Sequence, residues 1–157
     1  MDRPDHLGEP VTMRVAQATA ADAAAWQALR DALWPHAMAE QAAEIAEILG
    51  RSDQAAFLAR DADGQALGFA EVSLRTDYVN GCETSPVGFL EGIFVIPTAR
   101  RQGVARALVG AVRDWVRAKG CSELASDAEI DNAASHAMHA ALGFEETQRV
   151  VYFRQII

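Results

Sequence analysis

The spacing of apolar residues along the chain predicts strands and helices in a mixed order. Apolar and polar positions alternate over 13–18, as in a strand, and Thr19 and Asp22 have the spacing of a helix capping box. A first helix then places Trp26, Leu29 and Leu33 on its inner face. A second helix is predicted over 38–49, and Gly50 ends it. Its inward residues are predicted to be Ala42, Ile45, Ile48 and Leu49.

An antiparallel hairpin follows these two helices. The apolar runs 55–59 and 66–75 flank the turn sequence of 61–64, so the chain should reverse there. Residues 76–86 are too rich in turn formers for regular structure, and a loop of this length in a compact domain is often functional. Tyr78 in this loop either pins it to the body of the protein or lies on a binding surface.

The apolar period changes from strand to helix between Phe89 and Trp115. The run 89–96 is strand-like, Pro97 ends it, and apolar residues recur at helical spacing from Val104 until Gly120 stops the helix. Between the two elements lies the basic stretch 100–105. A strand, a turn and a helix start rich in backbone donors are therefore predicted in succession.

The remaining chain is predicted to contain a strand over 122–126, a helix from Asn132 to Leu142 and a final strand at 150–153. Antiparallel hairpins come first and helical crossovers later, which is typical of an α+β fold with a mixed, mostly antiparallel sheet flanked by helices.

Length and composition favour a single domain. The 157 residues can bury one core, so we expect residues 13–157 to form one domain after a loose lead-in at 1–12. The apolar runs are shorter than the roughly 20 residues that span a bilayer, and no signal-peptide pattern precedes the first strand, so we expect a cytoplasmic protein without membrane contacts.

Charge and cysteine content narrow the candidate chemistry. The net charge of −8 argues against binding nucleic acid and suits a cationic partner. Cys82 and Cys121 lack the spacing of a metal site, so no metal is expected. Neither cysteine has an evident histidine and acid arrangement, which disfavours a covalent acyl-enzyme.

The basic stretch 100–105 is suited to bind a phosphate. A helix start offers unpaired backbone N–H groups and the positive end of the helix dipole, and Gly103 permits close approach. The dinucleotide pattern G-x-G-x-x-G and the P-loop pattern are absent from the sequence, so nucleotide-triphosphate and nicotinamide sites lose their main support.

These features together resemble the GNAT N-acetyltransferases. Arg100, Gly103 and Ala105 match the family's pyrophosphate loop, and Asn132 precedes a helix that ends in Gly143-Phe144, as in the family. The stretches 77–82, 89–95, 125–127 and 142–147 are similar to the aminoglycoside 6'-N-acetyltransferases. The resemblance implies a sheet splayed where acetyl-CoA enters, direct acetyl transfer to the 6'-amine of an aminoglycoside antibiotic, a role in antibiotic resistance, and a homodimer.

The resemblance also implies roles for particular residues. Glu91 and Asp127 are the expected catalytic pair, with Glu91 as the base through water and Asp127 holding the cationic amine, although these roles could be exchanged. Both are also expected to bind substrate, together with Trp34 and Tyr78. The expected acetyl-CoA contacts are Ile93, Phe94, Val95, Arg100, Arg101, Gln102, Gly103, Val104, Ala105 and Asn132.

Physical arguments support part of this assignment. Gly92 within a strand predicts a bulge or a close approach of another group, which would free backbone groups near Ile93 to pair with an extended ligand. From sequence alone, Glu91 also fits a solvated strand residue, Asp127 a turn residue, and Trp34 either the core or a cleft.

Two departures from the resembled family and two alternative functions remain open. His139 stands where many members carry a tyrosine acid, and a structural role for it is favoured, while Gln148 replaces an acid that follows Glu-Glu-Thr in the resembled enzymes. The alternatives are acetylation of another small amine or protein amine, and a non-catalytic acyl-CoA sensor.

Overall fold

The computed structural model describes residues 12–157, apart from the side chain of His36. The predicted lead-in therefore lies outside the described residues, except for Thr12. Within the described part, the strands are β1 (Met13–Gln17), β2 (Gln54–Asp61), β3 (Ala66–Arg75), β4 (Val87–Val95) and β5 (Leu124–Ser126). The α-helices are α1 (Ala23–Leu33), α2 (Gln41–Leu49), α3 (Val104–Ala118) and α4 (Ala133–Ala141). Short 3₁₀ turns span Ala20–Asp22, Pro35–Glu40 and Pro97–Ala99.

The five described strands form one sheet in the order β1-β2-β3-β4-β5. The first four are antiparallel to their neighbours, and β5 alone runs parallel to β4. The expected mixed, mostly antiparallel α+β sheet is confirmed. The parallel pair follows from the helical crossover α3, which returns the chain to the same end of the sheet.

Two apolar cores cover the two faces of the sheet. One contains Val104, Leu108, Val109 and Val112 of α3 against β2 and β3. The other contains Trp26 and Leu29 of α1, Ile45 of α2 and Phe69 of β3. Apolar residues three and four positions apart on α1 and α3 produce these buried faces.

The capping box and the β2–β3 hairpin form as predicted. The Thr19 N–H donates to Asp22 Oδ2 at 2.9 Å, and Asp22 also pairs with Arg60 of β2 at 2.8 Å. At the hairpin, the Asp61 side chain accepts from the Gln65 N–H at 2.9 Å. These contacts fix the entry of α1 and the turn that aligns β2 with β3.

The predicted inner face of the second helix is partly wrong. The α-helix begins at Gln41 and not at Met38, because the Pro35–Glu40 segment is a 3₁₀ turn. Ile45 is buried as predicted and Ile48 is half-buried, but Ala42 and Leu49 are exposed. Gln41 is buried instead, and its Nε2 donates to the Trp34 carbonyl at 3.3 Å.

The predicted final strand at 150–153 is also wrong for the single chain. After α4, residues 144–157 have no strand or helix, and Val151, Tyr152 and Phe153 are 77%, 85% and 93% exposed. The segment has the composition of a strand, but among residues 12–157 no strand pairs with it.

Candidate active site

The sheet opens between β4 and β5. These strands pair only at Gly88–Leu124, Phe89–Ala125 and Leu90–Ser126, while β4 continues to Val95. Beyond Leu90, the edge of β4 on the β5 side has no paired strand within the described residues. Glu91 and Asp127 each follow the last paired residue of their strand, so both carboxylates begin where the strands part.

A bulge lies at the start of this opening. Gly92 pairs with Glu71 and Leu90 pairs with Val72, so Glu91 is an extra residue on β4. The bulge predicted from Gly92 is therefore confirmed. Since a bulge bends its strand and redirects a side chain, it accounts for the turn of Glu91 away from the regular ladder.

The Trp34 ring occupies the space beside Gly92. A Cβ on Gly92 would lie 2.6 Å from Trp34 Cζ2, so any larger residue would collide with the ring. Trp34 also packs edge-to-face on Phe69 at 6.0 Å between centroids. Trp34 thus contributes to the core and also lines a cavity, which resolves the two possibilities left by the sequence.

That cavity has a volume of about 370 Å³ and lies between α1, α2 and the strands β2–β4. Its wall includes Trp34, one arginine and three carboxylates. The charged residues are Arg30, Glu44, Glu71 and Glu91. An acidic wall beside an aromatic ring suits a cationic ligand.

A buried ion-pair network forms the floor of the cavity. Glu71 is 5% exposed, accepts from Trp26 Nε1 at 2.8 Å and lies 3.1 Å from Arg30 Nε. Burial raises the pKa of the Glu71 carboxyl, and the Arg30 charge opposes that rise. Arg30 also pairs with Glu44 and lies 5.0 Å from the Trp34 ring, so the network supports the aromatic wall.

Glu91 has two polar partners that the sequence analysis missed. Ser73 donates to Glu91 Oε1, and Arg75 Nη2 lies 3.0 Å from Oε1 and 2.9 Å from Oε2. The Arg75 guanidinium lies over the Phe89 ring at 3.5 Å. A period of two would have placed Ser73 and Arg75 on one face of β3. It does not show that Glu91 lies beside them, because that depends on the register of β3 against β4 across the bulge.

The loop before α3 has the backbone form of an anion site. Arg101 and Gly103 both have left-handed backbones, with φ of 63° and 82°. Within residues 12–157, the N–H groups of Arg101, Gln102 and Gly103 donate to no backbone carbonyl, and the first N–H groups of α3 are free by helix geometry. Arg100 Nε donates to the Val95 carbonyl at 3.0 Å, which ties the loop to the end of β4.

Helix α4 contributes Asn132 and His139. Asn132 Oδ1 accepts from the Ser135 N–H at 3.0 Å, so this oxygen caps the helix, and the side-chain amide N–H₂ donates to no group of residues 12–157. His139 Nδ1 lies 2.7 Å from the Ser135 carbonyl, and Nε2 lies 2.8 Å from Ser126 Oγ.

Tyr78 and Asp127 are exposed and do not line the cavity. Tyr78 is 75% exposed on the 76–86 loop, which agrees with a binding surface better than with a pinning role. The loop is held instead by Glu123, which accepts from the Glu83 and Thr84 N–H groups at 2.9 and 2.7 Å. The Thr84 hydroxyl also donates to Glu123. These three hydrogen bonds, that of the hydroxyl most of all, lower the pKa of Glu123.

No group of three or more metal-ligating side chains occurs in 12–157. No helix in this range is long and apolar enough to span a bilayer.

The sequence is similar to known acetyltransferases over most of its length. The acetyltransferase (GNAT) family model matches residues 21–144. The chain is 56% identical over 140 residues to aminoglycoside N(6')-acetyltransferase type 1 of Stenotrophomonas maltophilia, which covers 89% of this chain and 91% of that protein. It is 55% identical over 134 residues to the protein of the same name from Serratia marcescens, which covers 85% of this chain and 92% of that one.

Solved structures with the same sheet include AAC(6')-Iy in complex with the bisubstrate analogue CoA-S-monomethyl-acetylneamine. That structure has a TM-score of 0.89 and 48% identity, covering 93% of this chain and 99% of that one. AAC(6')-Ih from Acinetobacter baumannii also has a TM-score of 0.89, with 44% identity and coverage of 93% and 99%. The open, mostly antiparallel sheet of these enzymes is the fold found here.

Proposed function

The chain belongs to the acetyltransferase (GNAT) family, and from this we propose that it transfers the acetyl group of acetyl-CoA to the 6'-amine of aminoglycoside antibiotics. The observation that carries the proposal is the opening between β4 and β5, with Glu91 and Asp127 at its start and an acidic cavity beside Glu91. Acetylation of the drug would confer resistance on the cell.

The chain has the groups that acetyl-CoA requires. The free edge of β4 from Glu91 to Val95 suits the extended, amide-containing arm of the coenzyme. The 100–105 loop has two left-handed residues and backbone N–H groups that donate to no backbone carbonyl of residues 12–157, which suits a pyrophosphate. The Asn132 amide would donate to a carbonyl of the arm.

The acceptor site is suited to a polycation. Glu44, Glu71 and Glu91 line the cavity with a single arginine, and the chain as a whole carries a net charge of −8. The Trp34 ring gives a flat apolar wall for a sugar. We propose that Trp34 and Tyr78 contact the sugar rings, with Tyr78 reaching the site of a neighbouring subunit.

Glu91 and Asp127 would bind and deprotonate the acceptor amine. An ammonium group must lose a proton before its nitrogen can attack, and a positioned carboxylate typically accelerates such a step by about 10²–10⁴-fold. We assign this step to Glu91, through a water molecule, and the binding of the cationic amine to Asp127. The nitrogen then forms a bond to the acetyl carbon and loses its second proton, the carbon–sulfur bond breaks, and the leaving thiolate takes up a proton to become the thiol of coenzyme A.

Direct transfer is favoured over an acyl-cysteine route. Cys121 is buried, and Cys82 is half-buried near Glu123. Burial, followed by the charge of Glu123, raises the pKa of the Cys82 thiol, which reduces its thiolate fraction at neutral pH. Neither sulfur is a promising nucleophile.

A homodimer would cover the exposed C-terminal segment, and we propose that two copies associate through it. Val151, Tyr152, Phe153 and Ile156 expose large apolar side chains close together in sequence, a feature that commonly marks an interaction site. The segment also has unpaired backbone and strand-forming residues, so a second copy could pair with it.

We place the protein in the cytoplasm, where acetyl-CoA is available.

Variants of the two carboxylates test the assigned roles. We expect Glu91→Gln to lower kcat on a 6'-amino aminoglycoside by about a hundredfold, and Asp127→Asn to raise the KM for that substrate. The KM for acetyl-CoA should change little in either. Asp63→Asn, in the exposed β2–β3 turn, is the control and should behave as wild type. Unchanged kinetics in both site variants would overturn the assignment.

A panel of amines separates the proposal from the alternatives. Acetylation of spermidine or a peptide amine, without acetylation of kanamycin or tobramycin, would replace the substrate class. Tight acetyl-CoA binding with no turnover on any amine would indicate a sensor.

A further inference from the structure

Arg75 and Ser73 surround one oxygen of the Glu91 carboxylate. Arg75 Nε and Nη2 lie 3.2 and 3.0 Å from Oε1, and the Ser73 hydroxyl donates to the same atom. Within the described part of the chain, Oε2 accepts a hydrogen bond only from Arg75 Nη2, at 2.9 Å. The two oxygens of one carboxylate therefore have different environments.

The two carboxylate oxygens of Glu91 differ in their capacity to accept a further hydrogen bond. A carboxylate has about four lone-pair sites, two on each oxygen. Ser73 Oγ and Arg75 Nε are enough to occupy both positions of Oε1, and Arg75 Nη2 is shared between the two oxygens. Oε2 therefore keeps one position for a further hydrogen bond. The free position is the one that can accept a proton from the substrate or from a water molecule.

We propose that Arg75 and Ser73 are positioning residues that hold Glu91 Oε1 so that Oε2 faces the acceptor. This inference rests on the proposed function, because it takes Glu91 as the base. Glutamate has three rotatable side-chain bonds, and its backbone here is the extra residue of a bulge. Without the two donors, the carboxylate would sample other rotamers, and the reacting geometry would be populated less often.

The surroundings of the two donors restrict their positions. Ser73 is 8% exposed, so its hydroxyl has a fixed place on β3. The Arg75 guanidinium is stacked on the Phe89 ring at 3.5 Å, which directs the flat fork of N–H groups toward Glu91. A two-pronged contact of this kind specifies an orientation, which a single charge would not.

Stability alone does not account for the arrangement. The side chains of Arg75 and Glu91 are 42% and 34% exposed, and ion pairs at that level of exposure contribute little to folding. The buried Arg30–Glu71 pair, in contrast, belongs to the core. The Arg75–Glu91 pair is therefore expected to matter for turnover more than for stability.

The test compares Arg75→Gln, Arg75→Lys and Ser73→Ala with wild type. We expect Arg75→Gln to lower kcat by about tenfold, with unchanged affinity for acetyl-CoA and an unchanged melting temperature. Arg75→Lys keeps the charge but loses the fork, so it should restore kcat only in part. Ser73→Ala should lower kcat by about threefold, since one neutral donor is lost.

Arg51→Gln is the matched control. Arg51 also makes a two-pronged contact with a carboxylate, to Asp53 at 2.8 Å, on the protein surface. This variant should retain wild-type kcat and KM.

A double-mutant cycle with Glu91→Gln separates positioning from other effects. If Arg75 acts through Glu91, Arg75→Gln should lower kcat much less in the Glu91→Gln background than in wild type. An equal loss in both backgrounds would overturn the inference. A lower KM for the aminoglycoside at unchanged kcat would also overturn the inference, because Arg75 would then compete with the substrate cation for the Glu91 carboxylate. If Glu91→Gln itself has no effect, the proposed role of Glu91 fails, and that result is distinct from a failure of Arg75 alone.

Discussion

Trp34 Cζ2 would lie 2.6 Å from a Cβ on residue 92, so the ring and the glycine occupy complementary space. Trp34 ends α1, and Gly92 follows the bulged residue Glu91 on β4. One contact therefore joins the helix that lines the acidic cavity to the strand that opens toward β5. The positions of the Trp34 ring and of Glu91 therefore both depend on the contact between Trp34 and Gly92.

Gly92→Ala should be destabilising. The new methyl group meets Trp34 Cζ2 and Cη2, at 2.6 and 2.7 Å, and either the ring or the strand must move. We expect the free energy of unfolding to fall by about 1–3 kcal/mol, as for other overpacked sites. Turnover should fall as well, because the displaced atoms are next to Glu91. Urea unfolding and steady-state kinetics measure the two effects.

Gly110→Ala provides the comparison. Gly110 lies in α3, and a Cβ there meets no atom within 4 Å. This variant should gain up to about 1 kcal/mol from improved helix propensity, with unchanged turnover. If both alanine variants had the same stability as wild type, the close contact of Trp34 with Gly92 would not exist in solution.

His139 links α4 to the end of β5. A carbonyl only accepts, so the Nδ1–H donates to Ser135 at 2.7 Å, and in the neutral ring Nε2 accepts from Ser126 Oγ at 2.8 Å. The ring also packs edge-to-face on Phe144 at 5.2 Å between centroids. These contacts give the residue a structural role.

Replacement of His139 tests that role. We expect His139→Ala to lower the free energy of unfolding by about 1–3 kcal/mol through two lost hydrogen bonds. Its kcat should fall less than that of Glu91→Gln. A loss of kcat as large as that of Glu91→Gln, in a folded variant, would instead show that His139 takes part in proton transfer.

The Glu123 anchor of the 76–86 loop should weaken in acid. Hydrogen bonds, that of the Thr84 hydroxyl first, hold the pKa of Glu123 below its ordinary value of 4.5 in the folded chain. The unfolded chain then binds this proton more readily, so the contribution to stability is present above the ordinary pKa and is lost as the pH falls through the folded pKa.

Glu123→Gln removes this titrating group. We expect the melting temperature of the variant to lie below that of wild type at neutral pH, and the difference to shrink as the pH falls below 4.5. Glu40→Gln, at an exposed position, should differ little from wild type at any pH. A difference for Glu123→Gln that does not change with pH would contradict the account of the loop anchor.

The C-terminal segment should control the oligomeric state. The side chains of Val151 and Phe153 are 77% and 93% exposed in the single chain. The double variant Val151→Glu, Phe153→Glu should therefore still fold as a monomer. If two copies associate there, buried glutamates would separate them. Light scattering should give twice the chain mass of 16.9 kDa for wild type and the single mass for the variant. Leu49→Glu, at another exposed apolar position, should remain dimeric, and a monomeric wild type would contradict the proposal.

Most elements of the fold could be predicted from local patterns. The β3 strand, the capping box at Thr19, the bulge at Gly92 and the helix that follows Gly103 all depend on residues near one another in sequence. The final strand could not be predicted correctly, because a strand forms only where a partner lies beside it. Gln41 was missed because its burial depends on the 3₁₀ turn before α2.

The candidate site was predictable in part. The positions of Glu91 and Asp127 follow from the ends of two paired strands, and Gly103 has the expected left-handed backbone. The contact of Arg75 with Glu91 could not be predicted, since it depends on the register of β3 against β4 across a bulge. The buried Arg30–Glu71 pair joins a helix to a strand 41 positions later in sequence, and no local pattern indicates it.

The most direct test of the function is coenzyme release with two aminoglycosides that differ only in having an amine or a hydroxyl at position 6'. The amine is the nucleophile that the proposed reaction requires, and the hydroxyl offers no ammonium for Asp127 or Glu91. We predict rapid release of coenzyme A with the 6'-amine and background release with the 6'-hydroxyl. Equal release with both compounds, or none with either, would contradict the account.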